Sequence, residues 1–123
     1  MSKLLKREDL LKKKELKIEK VELEEGYVYV REMTAAERDT FERLLYVEIE
    51  EGDGVRYERN TANFRSKLAV MTICNENGER LLKEEDYEAF SQAISAKEME
   101  LIVNKALSLN RMKKEDVEKE IKN

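Results

Sequence analysis

Residues 68–74, LAVMTIC, form an apolar run that few other parts of this chain match. Charged residues make up 42% of the sequence, against roughly 25% in typical globular proteins, and apolar residues make up 41%, which is enough for a modest core. A helix that is apolar on almost every side must be buried on most of them. We therefore predict that this run is the central core helix. A strand is the alternative, because Val70, Thr72 and Ile73 are β-branched.

Residues 16–32 read LKIEKVELEEGYVYVRE, with apolar and charged residues in rough alternation. Glu24-Glu25-Gly26 separates the two alternating runs, a pattern that predicts a β-hairpin. A single hairpin is not stable by itself in water. We therefore expect it to pack on helices.

Thr34 and Glu37 have the spacing of a capping box, in which each residue satisfies a backbone N–H of the other at a helix start. Apolar residues then recur on one side at helical spacing: Phe41, Leu44, Leu45 and Ile49. This spacing predicts a helix that ends near the turn signal Gly52-Asp53-Gly54. Residues 51–60 are predicted to be an exposed loop.

Two more helices are predicted in the second half, one over about Glu84 to Ala93 and one opened by a second capping box, Ser95 to Glu98. The apolar face of the latter helix comprises Met99, Ile102, Val103, Ala106, Leu107 and Leu109. The resulting fold class is α+β and predominantly α-helical, a small N-terminal hairpin on a bundle of about five to six helices. The single domain, 1–123, divides into a charged helix or arm (1–14), the hairpin (16–32), a helical body (35–110) and a weak C-terminal helix (113–123).

The net charge of −4 conceals an asymmetry along the chain. Residues 1–20 hold eight Lys/Arg and four Asp/Glu, while the remainder is acidic. The basic arm could bind nucleic acid or an acidic partner, but the acidic body repels phosphates, so no nucleic acid is expected. No segment is apolar enough to span a membrane, the N-terminus lacks the apolar core of a secretory signal, and one cysteine makes no internal disulfide. We expect a soluble, cytosolic protein.

The sequence offers no recognisable catalytic, cofactor-binding or metal-binding residues. It has no histidine, the commonest general base and metal ligand. Its one cysteine, Cys74, ends the apolar run and is expected to be buried. Carboxylates are abundant, so an enzyme that uses acidic residues and magnesium stays open as a minor hypothesis.

Large apolar residues at positions predicted to be exposed are candidates for contacts with a partner or a second copy. They are Leu4, Leu5, Leu10, Leu11, Tyr27, Tyr29, Tyr46 and Leu101. Tyr27 and Tyr29 share one face of the hairpin, and packing on the helices is an equally simple role for them. The N-terminal leucines are too few to hold a short helix alone.

The order of these elements resembles the tail assembly chaperone family of long, non-contractile-tailed phages and prophages. Members have a strand ending in Val-Arg, then an apolar residue, Thr or Ser, Glu-Arg and an aromatic; the matching residues here are Val30, Arg31, Met33, Thr34, Glu37, Arg38 and Phe41. The stretch FRSKLAVMTICNENGERLLKEEDYEAF is also similar to the family pattern. The chain departs from that pattern at Lys83 and Lys113, where Ser or Thr helix caps are expected.

The resemblance implies a non-catalytic protein of the host bacterial cytoplasm that is absent from the mature virion. Such chaperones bind and solubilise the tape-measure protein before the tail tube polymerises, and a frameshifted longer form recruits the tail tube protein. We also expect a homo-oligomer, with the N-terminal leucines of one copy in an apolar groove of the next. The alternative function is a small cytosolic regulatory or nucleic-acid-binding protein that uses the basic N-terminal arm.

Overall fold

The computed structural model describes residues 2–12 and 15–112, so the predicted helix 113–123 and the cap position Lys113 lie outside the described part of the chain. That part contains five α-helices, a single 3₁₀ turn and five strands, with 43% helix and 23% strand. In chain order these are α1 (Arg7–Leu11), β1 (Ile18–Glu22), β2 (Tyr27–Arg31), α2 (Ala35–Arg43), β3 (Tyr46–Glu51), β4 (Gly54–Arg59), α3 (Phe64–Thr72), β5 (Ile73–Cys74), the 3₁₀ turn (Glu84–Asp86), α4 (Tyr87–Ala93) and α5 (Ala96–Leu109).

Helix α3 is the centre of the core, as the apolar run predicted. All of its residues except Arg65 are buried, and it contacts α2, α4 and α5. The helix ends at Thr72, and Ile73-Cys74 then pair with Val30 and Tyr29 of β2. The helical prediction is therefore right up to Thr72. The strand alternative holds for the last two residues, where a β-branched side chain favours extended backbone.

The predicted N-terminal hairpin is confirmed and forms the first sheet, in the order β1-β2-β5. Opposed pairs such as Val21 and Val28 share a face, and Val21 and Val30 on that face are buried. The helix α5 contacts both strands. Alternation therefore places Tyr27 and Tyr29 on the opposite face, where their rings meet edge to face with centroids 5.6 Å apart.

A second hairpin replaces the predicted end of α2 and the predicted loop 51–60. Helix α2 ends at Arg43, and β3 pairs with β4 from Tyr46↔Arg59 to Glu51↔Gly54. The predicted bundle of five to six helices, with 35–110 as a helical body, is therefore wrong, and the fold is mixed. The physical reason is that apolar and charged residues alternate with period two over residues 47–50. The two-residue loop Gly52-Asp53, with Gly52 at φ 59°, suits a tight hairpin turn.

Helices begin where a nearby side chain satisfies a backbone N–H group. One such start lacks the Ser or Thr that was expected as its cap. Ser95 Oγ accepts from Glu98 N at 3.2 Å, but the Glu98 carboxylate bonds to Glu24 N at 2.9 Å instead of closing the box. At Lys83, where the resemblance predicted Ser or Thr, the backbone N–H donates to the Asp86 carboxylate at 2.8 Å. One reciprocal contact is therefore sufficient to begin the 3₁₀ turn.

The capping box at the start of α2 is complete, and it makes a direct prediction. Thr34 Oγ1 accepts from Glu37 N at 3.1 Å, and the Glu37 carboxylate accepts from Thr34 N at 2.9 Å. Replacing Thr34 with Ala should lower the free energy of unfolding by about 1 kcal/mol, because one helix N–H loses its partner. Urea unfolding of the two proteins measures this difference. A serine variant, which keeps the hydroxyl, should stay close to wild type, and equal loss in both variants would contradict the cap.

Candidate docking groove

A groove of about 760 Å³ lies between the N-terminus of α3 and helices α4 and α5. Its floor is apolar and its rim is polar. The apolar lining consists of Phe64, Ile94, Ala96, Met99, Val103 and Leu107. The polar lining consists of Thr61, Asn63, Arg65, Ser66, Ser91, Glu100 and Asn104.

The long side of the groove follows one face of α5. Ala96, Met99, Val103 and Leu107 recur every three or four residues, so they stack along the helix. At 1.5 Å per residue this line is about 16 Å long, or three helical turns. The groove is therefore elongated in the direction that suits an extended occupant.

The other side of the groove is held in place by a buried hydrogen bond. The Ser66 hydroxyl, which is buried, donates to the Tyr87 carbonyl and connects α3 to the first turn of α4. Phe64 also packs edge to face on Phe41 of α2, with ring centroids 5.4 Å apart. These contacts fix the apolar floor, because Phe64 and Phe41 both belong to the packed core.

The charges on the rim come from one arginine, Arg65, and one glutamate, Glu100. The remaining polar groups are the hydroxyls and amides of serine, threonine and asparagine. An occupant with a strong charge of either sign gains little from such a rim. The lining therefore favours an apolar surface that is flanked by uncharged or mixed polar side chains.

Lys67, beside the groove, supports the fold and does not face the groove. Its Nζ donates to the Leu44 carbonyl at the end of α2 at 2.8 Å and lies 5.1 Å from the centre of the Tyr87 ring. Burial lowers the pKa of the Lys67 amine, and the charge of Glu88 opposes that shift. The amine thus links α2 to α3 and α4.

A buried ion pair joins β2 to the start of α2. Arg31 is only 5% exposed, and its two terminal nitrogens donate to the two Glu37 carboxylate oxygens at 2.9 and 2.6 Å. Burial alone would raise the pKa of Glu37, but hydrogen bonds from Arg31 and the Thr34 backbone, and the Arg31 charge, hold it below the ordinary 4.5. A smaller cleft of about 410 Å³ beside Arg31 also contains Glu15 and Glu76. Both terminal nitrogens of Arg31 already donate to Glu37, so this cleft is a weaker candidate site.

The structure does not bring the sequence-predicted contact residues together, and none of them lines the groove. Leu4, Leu5, Leu10 and Leu11 are exposed around α1, Tyr27 is exposed and Tyr29 half-buried on the first sheet, Tyr46 is exposed on β3, and Leu101 is exposed on α5. Whether they contact a partner stays a prediction. The groove residues Met99 and Val103 were assigned to the core alone. Glu100 and Asn104 are exposed at the edge of that apolar face. These two polar residues were the sequence signal that could have indicated a groove.

Chemical groups that would suggest catalysis are sparse in the described ranges. Cys74 is buried, and burial raises the pKa of its thiol, which disfavours the nucleophilic thiolate. Within residues 2–12 and 15–112, no cluster of three or more carboxylate or cysteine side chains is placed to hold a metal ion. Among the described helices, none has the length and apolar character needed to cross a membrane.

Comparisons of this chain with protein-family models, with curated proteins and with solved structures each gave no match.

Proposed function

We propose that this chain is a non-catalytic tail assembly chaperone of a long, non-contractile-tailed phage or prophage, and that it binds the tape-measure protein. The observation that carries the proposal is the open groove between α3, α4 and α5, with its apolar floor and polar rim. The order of sequence elements that resembles this family supports the same role. The occupant we assign to the groove is an amphipathic helix of the tape-measure protein.

The groove has the features of a helix-in-groove site. Such sites take an amphipathic helix whose apolar anchors recur at i, i+3 or i+4, and i+7. The Ala96-to-Leu107 line spans about three helical turns, which is room for that many anchors. The nearly neutral rim matches a helix whose apolar stripe is bordered by mixed polar residues. A long helical partner would present many such segments to many chaperone copies.

Modest affinity at each groove is consistent with a chaperone that must later leave. Binding of several linked segments raises the overall affinity through effective concentration. Each copy can still be displaced singly when tube subunits compete for the same partner. On this proposal the protein acts in the host cytoplasm and is absent from the virion. A frameshifted longer form, which often coexists with the short form in the family, would recruit the tail tube protein.

Blocking the groove should abolish binding to the tape-measure protein. Asn104 is exposed at the rim, so Asn104→Trp fills the opening without touching the core. The matched control is Asp39→Trp, an exposed polar position on α2 outside the groove. Each protein is co-expressed with the tape-measure protein of the same phage or prophage and recovered by affinity pull-down. We expect wild type and Asp39→Trp to retain the partner and Asn104→Trp to retain about a tenth or less, equal to a loss of about 1.4 kcal/mol.

Two results would overturn the proposal. Equal recovery of the partner by Asn104→Trp and wild type would remove the groove as the site. Failure of folded wild type to bind any part of the tape-measure protein would remove the chaperone role. DNA binding that weakens steeply with salt would then favour the basic arm, whose Lys6 and Arg7 are exposed.

A further inference from the structure

The β3–β4 hairpin is an exposed arm, and within residues 2–12 and 15–112 neither of its outer edges pairs with another strand. All of its strand residues are exposed except Ile49, which is half-buried. Tyr57 is 69% exposed, and Tyr46 and Val55 are also exposed apolar side chains. A two-stranded ribbon is marginally stable alone, and an exposed strand edge invites pairing with another chain. The outer strand edges of the arm are therefore candidate surfaces for pairing with another chain.

The alternation of hydrogen-bonded and non-hydrogen-bonded pairs in the hairpin shows which residues of β4 direct their backbone groups toward its outer edge. Asn60 N donates to Leu45 O at 2.6 Å at the base of the hairpin, and antiparallel pairs alternate between hydrogen-bonded and non-hydrogen-bonded positions. Counting from that base along the register, Tyr57 opposite Glu48 is at a non-hydrogen-bonded position. The backbone N–H and C=O groups of Tyr57, and of its second neighbours Val55 and Arg59, consequently point away from β3.

The sequence of β4 is self-complementary about Tyr57 when the strand meets an antiparallel copy of itself. In that register Tyr57 lies opposite the second copy's Tyr57, Arg56 lies opposite Glu58, and Val55 lies opposite Arg59. Opposite charges across a strand pair are favourable, and like charges are not. The outward-facing groups of Val55, Tyr57 and Arg59 would all fall at hydrogen-bonded positions. The pairing of opposite charges and the positions of the outward-facing backbone groups therefore favour the same register.

The edge of β3 lacks this property. Antiparallel self-pairing centred on Glu48 sets that residue opposite its own copy, and pairing centred on Ile49 sets Glu48 opposite Glu50. Both registers place carboxylates together. The glutamates of β3 act as the charged side chains that protect an edge, whereas β4 carries matched charges.

We propose that β4 pairs antiparallel with β4 of a second copy about a two-fold axis at Tyr57, giving a four-stranded sheet β3-β4-β4-β3. Arg56 already contacts Glu58 of its own strand at 3.1 Å and Glu51 of β3 at 2.9 Å. The Arg56 and Glu58 side chains of the two copies together form a quartet of alternating charges on one face, with a Glu51 beside each arginine. The two Tyr57 rings lie side by side on the other face, next to Tyr46. The pairing is isologous, so it closes as a dimer. It does not depend on the chaperone role or on the groove.

Charge exchange across the pair tests the register. Arg56→Glu and Glu58→Arg each place like charges opposite one another, and each should weaken self-association at least about tenfold. An equimolar mixture of the two variants restores both opposite-charge pairs and should form a heterodimer. The measurement is sedimentation velocity from low to high micromolar concentration. Circular dichroism of each variant checks that the body is folded.

Two further variants separate backbone pairing from side-chain contacts elsewhere. Tyr57→Pro removes an N–H that points toward the outer edge of β4. Because proline is tolerated at such edge positions, the hairpin should persist while the dimer is lost. Deletion of residues 2–12 removes the exposed leucines of α1 and should leave the dimer intact. The proposal is overturned by a monomeric wild type at high micromolar concentration, by single variants that associate as wild type, by a mixture that fails to associate, or by loss of the dimer on deletion of residues 2–12.

Discussion

Replacing Leu68 with Ala should lower the free energy of unfolding by about 2–5 kcal/mol, the cost of leaving a cavity in a packed core. Leu68 is fully buried in α3, beside Val70 and Met71, which are also fully buried. Because α3 contacts α2, α4 and α5, the surrounding helices cannot all collapse on the missing methyl groups. Urea unfolding followed by circular dichroism measures the change.

The matched control is Leu101→Ala, the same substitution at a position on α5 that is 44% exposed. Surface substitutions of this kind usually change stability by no more than about 0.5 kcal/mol. Equal midpoints for wild type and Leu68→Ala would contradict the central position of α3. A loss at Leu101 as large as that at Leu68 would show that this α5 face is covered in solution.

Replacing Glu37 with Gln should destabilise the protein by about 3 kcal/mol, the lower part of the range for removing one member of a buried ion pair. The Arg31 side chain is 6% exposed and that of Glu37 is 19% exposed, so Arg31 would keep its charge without a neutralising partner. Glutamine retains the shape and the capping acceptor for Thr34. The change therefore removes the charge and also replaces the acceptor for the second Arg31 nitrogen with an amide donor. The control is Glu42→Gln, which breaks the exposed pair with Arg38 and should cost about 0.5 kcal/mol or less.

The same pair gives a pH dependence with a definite sign. The pKa of Glu37 is lower in the folded protein than its ordinary 4.5, so the unfolded chain binds the proton more readily. The stabilisation is fully present above pH 4.5 and is lost as the pH falls through the folded-state pKa. Unfolding free energies measured from neutral to acidic pH should fall more steeply for wild type than for Glu37→Gln. Parallel profiles would contradict the ion-pair assignment.

Elements whose information is local were predictable from the sequence. The capping box at Thr34 and Glu37 placed the start of α2 correctly, because two side chains three residues apart satisfy the exposed N–H groups. The alternation on either side of Glu24-Glu25-Gly26 predicted the first hairpin. Of the apolar residues that the sequence placed on one face of α2, Phe41 and Leu45 are buried, whereas Leu44 and Ile49 are half-buried. The run 68–74 and the apolar face predicted for α5 are buried throughout.

The second hairpin was missed because two periods fit the same short run. Phe41, Leu44, Leu45 and Ile49 match a helix, whereas Val47 to Glu50 match a strand with period two. At the boundary, Leu44 is contacted by a residue distant in sequence, since Lys67 Nζ donates to the Leu44 carbonyl at 2.8 Å. A helix continued past this point would require that carbonyl for its own hydrogen bond.

The sequence by itself determined the starts of α2 and α5, the first hairpin and most of the buried apolar side chains, since these follow from side-chain type and spacing within a few turns. Only the tertiary structure decided that Met99 and Val103 of α5 form one groove with Phe64 of α3. It also decided that residues 46–59 leave the core as an arm. The groove joins residues as far apart in sequence as Phe64 and Met99, more than thirty positions, and its shape depends on how three helices pack. Local periodicity shows which face of each helix is apolar, and it carries no information on how completely neighbouring helices cover that face.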